Sequence, residues 1–331
     1  LKRILLVGGA GFLGHHLSLH LNLLGYVVKI VDNLQVNNFG YLISKRDIPN
    51  RDLYFSFIKK RLELIEEAGI ELDCTDARDY HLLSHSISEF KPEVVIHLAA
   101  VSHANRSNKD PYSTFDHSLR TLENALDASY KTVEQFIYFS SSMVYGNFQS
   151  EEVKEDDNLD PIGIYGALKI SGELLVKAYS QIFDDFNYTI VRPSALYGER
   201  CISRRVVQIF IENILNDETI FVQGDGQEKL DFTYVDDFVN GICLMIGNEK
   251  AYGETFNLTY GESRKLLDVV DILRKEFAAI KFQYKKRDKL VPYRGTLNID
   301  KAKKLLGYSP EYPIDDGIIK YIGWYKDFLA K

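Results

Sequence analysis

The segment Gly8-Gly9-Ala10-Gly11-Phe12-Leu13-Gly14 constrains this chain more than any other stretch. It lies between an apolar run, Ile4-Leu5-Leu6-Val7, and a stripe of Leu13, Leu17, Leu21 and Leu24 that Gly25 closes. The run reads as a strand buried on both faces, and the leucine spacing as a helix. Glycines at these places make a tight turn, bring bare backbone against a pyrophosphate and let the helix pack close on the strand. The helix N-terminus adds amide donors and the positive end of a dipole. A dinucleotide pocket built on Gly8, Gly11, Phe12, Leu13 and Gly14 is therefore expected.

The pattern repeats along the chain. Val27 to Val31, Glu71 to Asp73, Val94 to Leu98, Phe136 to Phe139 and Thr189 to Val191 are short apolar runs separated by helical periodicity. Such runs imply parallel βαβ units, and right-handed crossovers wind them into an α/β, Rossmann-type doubly wound sheet. The long connection from Asn37 to Gly69 is expected to carry its own helix around Leu53 to Glu67. Beyond about residue 195 the regularity weakens. Helical stretches near 205–216 and 262–277 alternate with short strands such as Ile220 to Val222 and Thr255 to Leu258. We read a Rossmann domain over 1–195 and a smaller C-terminal α/β substrate lobe over 196–331, with some interleaving.

Asp32 ends the second run, 21 residues after Gly11. A carboxylate there accepts from the adenosine ribose 2′-hydroxyl and repels a 2′-phosphate. No Arg or Lys follows directly, so NAD is expected over NADP. The net charge of −7 is spread along the chain, against a nucleic-acid partner, which needs a basic face. No run reaches the roughly 18 apolar residues of a membrane span. Cys74, Cys201 and Cys243 are isolated, with no metal-ligand spacing and no disulfide framework, so no metal and a cytoplasmic location are expected.

With these features in hand, the chain resembles the extended short-chain dehydrogenase/reductase family from Ile4 to about Gly317. The likeness is carried by the glycine turn, Asp32-Asn33-Leu34, Leu72-Asp73-Cys74-Thr75-Asp76, His97-Leu98-Ala99-Ala100, Ser140-Ser141-Ser142-Met143-Val144-Tyr145-Gly146, and Tyr165-Gly166-Ala167-Leu168-Lys169. Further landmarks are Arg192-Pro193 to Tyr197-Gly198, and Gly224-Asp225-Gly226 to Asp236-Asp237. The resemblance implies an NAD cofactor, a nucleotide-sugar substrate, and a homodimer formed through helices near 113–130 and 163–182. It implies cofactor contacts at Asn33, Asp73, Cys74, Leu98, Ala99, Ala100, Tyr165, Lys169 and Pro193, with Asp73 the side chain reaching the adenine.

Tyr165 and Lys169 stand one helical turn apart and share a face. An ammonium beside the phenol, next to a positive nicotinamide, is expected to lower the phenol pKa. The phenol then takes a proton from a sugar hydroxyl as hydride leaves the same carbon. The resemblance marks Ser141, four residues before Tyr145, as the residue expected to orient that hydroxyl, with Ser140 and Ser142 as alternatives. In the dehydratase branch of the family an Asp-Glu pair follows the catalytic hydroxyl residue; here Ser142 and Met143 stand there, and a thioether is no general base. Epimerisation at carbon 4 through a transient 4-keto sugar is the expected reaction. The alternatives are a 4-dehydrogenase or 4-keto reductase, then a 4,6-dehydratase, and outside catalysis a silent NAD-sensing protein.

The chain also departs from the pattern. Val7 replaces a Thr before the glycines, Ala195 an Asn near the phosphates, and Leu230 an Arg before Asp231-Phe232. Arg200, Arg204, Arg205 and Arg287 are the candidates to replace the lost diphosphate contacts, because guanidinium forks match phosphate oxygens. Ser102 and His103, after the Ala99-Ala100 turn, are expected to line the sugar pocket with Ser142 and Met143.

Overall fold

The computed structural model describes residues 2–45, 47–101 and 104–330. Seven strands make one parallel sheet: β1 (Arg3–Val7), β2 (Val27–Val31), β3 (Glu71–Asp73), β4 (Val94–His97), β5 (Gln135–Phe139), β6 (Tyr188–Arg192) and β7 (Glu254–Asn257). Their order is β7-β6-β5-β4-β1-β2-β3. Leu6 of β1 lies opposite both Ile30 of β2 and Ile96 of β4. Successive side chains point to opposite faces, so the apolar runs feed two cores. Ile4, Leu6, Ile30, Ile96, Ile137 and Phe139 enter one core, which continues into the C-terminal part of the chain. Leu5, Val7, Val95, Phe136, Tyr138 and Ile190 enter the other.

The expected elements stand close to their predicted places, with one relocation. The strand read at Thr255 to Leu258 was assigned to the substrate lobe, but Glu254–Asn257 is β7 and pairs in parallel with β6. The chain therefore returns to the central sheet after leaving it. Outside that sheet, Ile220–Gln223 pairs with Phe282–Lys285, and Lys229–Tyr234 lies between Ala195–Tyr197 and Ser263–Lys265.

The helix expected around Leu53 to Glu67 spans Arg51–Glu67. It ties the nucleotide fold to the C-terminal part through a buried carboxylate. Glu212, 2% exposed, accepts from Tyr54 Oη at 2.5 Å, Tyr325 Oη at 2.8 Å, Gln208 Nε2 at 2.8 Å and Asn50 Nδ2 at 3.0 Å. Several donors make burial of that charge tolerable. Beside it Phe57 is enclosed by Trp324, Tyr325 and Phe328, with ring centroids 5.0, 5.9 and 5.0 Å away. Truncating this ring leaves a cavity between two elements that cannot collapse independently. Phe57→Ala is therefore expected to cost about 3–5 kcal/mol in urea denaturation; a loss below about 1 kcal/mol, the scale of a surface substitution, would show the contact to be incidental.

Candidate active site

Strand order reverses between β1 and β4, and in such sheets ligands settle at the carboxyl ends of the strands where the order reverses. A cavity of about 660 Å³ opens there. Gly8, Gly11, Phe12, Leu13 and Gly14 line one end with Asp32, Asn33, Leu98, Ala99 and Ala100. Ser141, Ser142, Met143, Tyr165, Lys169 and Pro193 line its middle. Gly8 has φ +83°, and a Cβ there would stand 2.6 Å from Ala99 N. At Gly14 a Cβ would meet Gly9 O at 2.4 Å, so only glycine lets the helix start this close to the turn. Asp32 fastens the turn to β2: its carboxylate accepts from Ala10 N at 3.0 Å and Leu34 N at 2.8 Å. Burial raises its pKa, and those two amides hold it down.

The side chains expected to be catalytic arrive from two elements. Ser140 to Ser142 follow β5, and Ser141 Oγ accepts from Met143 N at 3.2 Å, opening the short helical turn Ser142–Tyr145. Tyr165 and Lys169 lie on the helix Gly163–Ile182. A Cβ at Gly172 would fall 2.1 Å from Tyr138 Oη, so this glycine lets the helix rest directly on β5. Lys169 Nζ donates to Phe139 O at 2.5 Å and lies 5.9 Å from the Tyr165 ring centroid. Burial pulls the Lys169 ammonium down to about 8, against the field of Glu173. Tyr165 differs from expectation. Burial raises its phenol, and the opposing pull comes from Arg205 and a hydrogen bond to Ser141. Lys169 directs its ammonium to the Phe139 carbonyl instead.

The remaining expected residues divide. Arg205 lines the cavity, and its buried Nε has no hydrogen-bond partner among the described residues. Arg200 does not line it: with φ +58° its side chain turns away, and Nε donates to His15 Nε2 at 2.9 Å. Arg287 stands behind the wall, paired with Glu228 at 3.3 Å, donating to Val291 O at 2.6 Å and stacked 3.7 Å over the Tyr293 ring. Asp73 and Cys74 do not line it either. Asp73 accepts from Thr75 and from Ser86 and pairs with Lys29, while Thr75 and Asp76 take the cavity wall. Ser102 and His103 lie outside the described residues.

Two lining groups had no signal in the sequence. Arg294 is half-buried on the wall, its buried Nε unpartnered among the described residues and its pKa pulled down to about 10 by desolvation. His117 reaches the wall from a π-helical turn, Asp116–Arg120, a rare geometry found mostly at functional sites, and Thr121 from the first residue of the α-helix that follows it.

Residues 4–259 match the NAD dependent epimerase/dehydratase family. The chain belongs to that family. A putative UDP-glucose 4-epimerase of Methanocaldococcus jannaschii is 31% identical, over 98% of each chain. The crystal structure of a UDP-glucuronic acid 4-epimerase from Bacillus cereus, in complex with UDP-glucuronic acid and NAD, superposes with a TM-score of 0.86 at 27% identity, covering 98% of this chain and 99% of that one. A UDP-glucose 4-epimerase from Thermotoga maritima, crystallised with UDP-glucose, gives 0.86 at 27% identity over 99% and 100%. As a member of this NAD-dependent enzyme family, the chain holds its cofactor where the residues fit one: a turn that no Cβ would pass at Gly8 and Gly14, and a carboxylate at Asp32. No helix among the described residues is long and apolar enough to cross a membrane.

The charge on Lys169 gives this site a pH signature. A lysine whose pKa is lowered to about 8 is charged below that pH and neutral above it. The ratio kcat/KM is expected to fall as pH rises through about 8; a profile flat across that range would remove Lys169 as the titrating group.

Proposed function

We propose that this enzyme epimerises a nucleotide-linked sugar at carbon 4 through a transient 4-keto sugar. One observation carries the reading: Ser141, Tyr165 and Lys169 share a single cavity with two half-buried arginines, Arg205 and Arg294, whose buried Nε donors have no acceptor among the described residues. A buried guanidinium without an acceptor is costly, and a diphosphate supplies several acceptors at once. Bound NAD supplies the hydride acceptor and donor. Ser141 orients the sugar hydroxyl, and Tyr165 takes its proton and later returns it. Lys169 fixes the phenol from below. Arg205 and Arg294 hold the diphosphate while the sugar turns its other face between the two proton transfers. The 4-epimerases named above support this reading.

A 4-dehydrogenase or 4-keto reductase is the second reading, since the same three residues serve either. Dehydration is disfavoured because Ser142 and Met143 line the cavity where an acid-base pair would be needed.

A panel of UDP-, dTDP-, GDP- and CDP-sugars, with products identified by NMR, separates these outcomes. An epimer supports the proposal; a released keto or reduced sugar alone selects the second reading. Tyr165→Phe is expected to bind NAD normally and to lose at least about 100-fold in kcat, the scale of a positioned acid-base group. Arg294→Met is expected to raise KM with a smaller effect on kcat. Near-normal turnover in the first, or an unchanged KM in the second, counts against the roles given.

We also infer a homodimer. Tyr112 and Phe115, on Pro111–Phe115, and Leu174 and Ile182, on Gly163–Ile182, are exposed by 85, 44, 62 and 69%. Apolar side chains gathered on these neighbouring helices fit burial against a second copy. Sedimentation velocity at micromolar concentration is expected to give a dimer; a monomer would overturn the inference.

A further inference from the structure

Behind the catalytic residues lies a buried ionic network that the proton-transfer scheme does not use. Glu173 and Arg192 are each 1% exposed. Arg192 grips the Glu173 carboxylate with two donors, Nε to Oε1 at 2.9 Å and Nη2 to Oε2 at 2.7 Å. Ser140 Oγ donates to the same Oε1 at 2.5 Å. The remaining Arg192 donor, Nη1, reaches Tyr145 Oη at 2.9 Å and Glu155 O at 2.8 Å. Tyr145 Oη in turn donates to Asn257 Oδ1 at 2.7 Å, at the end of β7. The network thus joins the serine turn after β5, the helix carrying Tyr165 and Lys169, the end of β6 beside Pro193, and β7.

A buried ion pair rarely justifies itself by stability, because the desolvation of both partners offsets their attraction. Its position is the informative feature. Glu173 follows Lys169 by four residues on one helix, so both project from the same face. The neighbours of Lys169 are otherwise poor in negative charge. Its own helix offers Tyr165 and Glu173, β5 offers the Tyr138 ring 5.1 Å away, β4 offers His97, and β6 offers the Arg192 guanidinium beside Glu173. Glu173 is the carboxylate among them.

We propose that Glu173 is a positioning residue for catalysis: clamped by Arg192 and Ser140, it locks the serine turn to the catalytic helix and keeps the Lys169 ammonium charged beneath Tyr165. The inference rests on the assignment of Tyr165 and Lys169 made above. A fixed negative charge one turn away favours the ammonium over the amine in a site where burial favours the amine. Without it, Lys169 loses its proton at lower pH and the enzyme loses its working form in the neutral range.

The test is the pH profile of kcat/KM for Glu173→Gln, with whichever nucleotide sugar turns over. The alkaline limb is expected to move toward acid by about one pH unit, the scale of a single nearby charge. The pH dependence of NADH binding, followed by fluorescence, is expected to move with it, since Lys169 lines the cofactor cavity. Glu173→Gln leaves Arg192 buried and unpaired. The double variant Glu173→Gln with Arg192→Met removes both charges; because the opposing Arg192 cation goes too, it is expected to show a smaller acidward shift, and it serves if the single variant does not fold. Ser140→Ala keeps the ion pair, so it is expected to lower the rate at every pH while leaving the limb in place. A limb that stays put in a folded Glu173 variant, with loss only in overall rate, would overturn the proposal and leave Glu173 a purely structural residue. Tyr165→Phe separates the two assignments. If it retains turnover, the assignment of the catalytic pair fails; if it is inactive and the limb is unmoved, only the role of Glu173 fails.

Discussion

The reversal of strand order between β1 and β4 is the constraint on which the rest of this structure depends. Connections leaving the two strands wind in opposite directions, so their carboxyl ends part and leave a crevice that no crossover helix covers. The glycine turn can stand there because Gly8 accepts a left-handed backbone against Ala99. Asp32 joins it from β2 by accepting Ala10 N. From the other side, β5 contributes Ser141 and β6 is followed by Pro193, so cofactor-facing and substrate-facing groups meet in one cavity. The chemistry is assembled from positions scattered along the chain because the topology converges their strand ends.

Much of this was legible in the sequence because a strand buried on both faces must be apolar throughout, and β1, β2, β4 and β5 announce themselves in that way. The glycine turn was legible for a second reason, its place between a strand end and a helix start; Ser141, Tyr165 and Lys169 were singled out with the help of the family resemblance, and they line one cavity. What was missed depends on long-range packing. Glu254–Asn257 reads as a strand, but its membership of the central sheet follows from pairing with β6, far back in the chain. Asp73 ends β3 and Asp76 follows it three residues on. Lys29 and Ser86 draw Asp73 away from the cavity, and neither is near it in sequence.

The arginines show the same division in electrostatic form. A guanidinium carries five donors and cannot be neutralised, so its place is decided by where acceptors lie. Arg200 finds one in His15, whose imidazole burial keeps neutral and therefore able to accept. Arg287 places Nη2 on Glu228 and a backbone carbonyl and stands behind the wall, although its buried Nε has no acceptor among the described residues. Arg205 and Arg294 also keep an Nε without an acceptor among the described residues, and these two, unlike Arg287, line the cavity. Sequence spacing ranked Arg200 with Arg205 because they are near neighbours; donor satisfaction separates them and brings in Arg294 from a distant loop.

The same reasoning explains why Tyr165 is not simply made acidic. In the proposed reaction Tyr165 takes a proton and must give it back within one cycle, so a phenol shifted far in either direction would slow one half of it. Burial raises the phenol, while Arg205 and Ser141 lower it, so opposed influences from three separate elements set its acidity. Lys169 sits beneath the ring with its ammonium on the Phe139 carbonyl, and Glu173 opposes the loss of its proton. Neither residue of the pair owes its acid-base character to the other alone. Tyr165 is tuned from the side of Arg205 and Ser141 and Lys169 from the buried side, so a change around Arg205 acts on the phenol, and a change in the network behind the helix acts on the ammonium through Glu173.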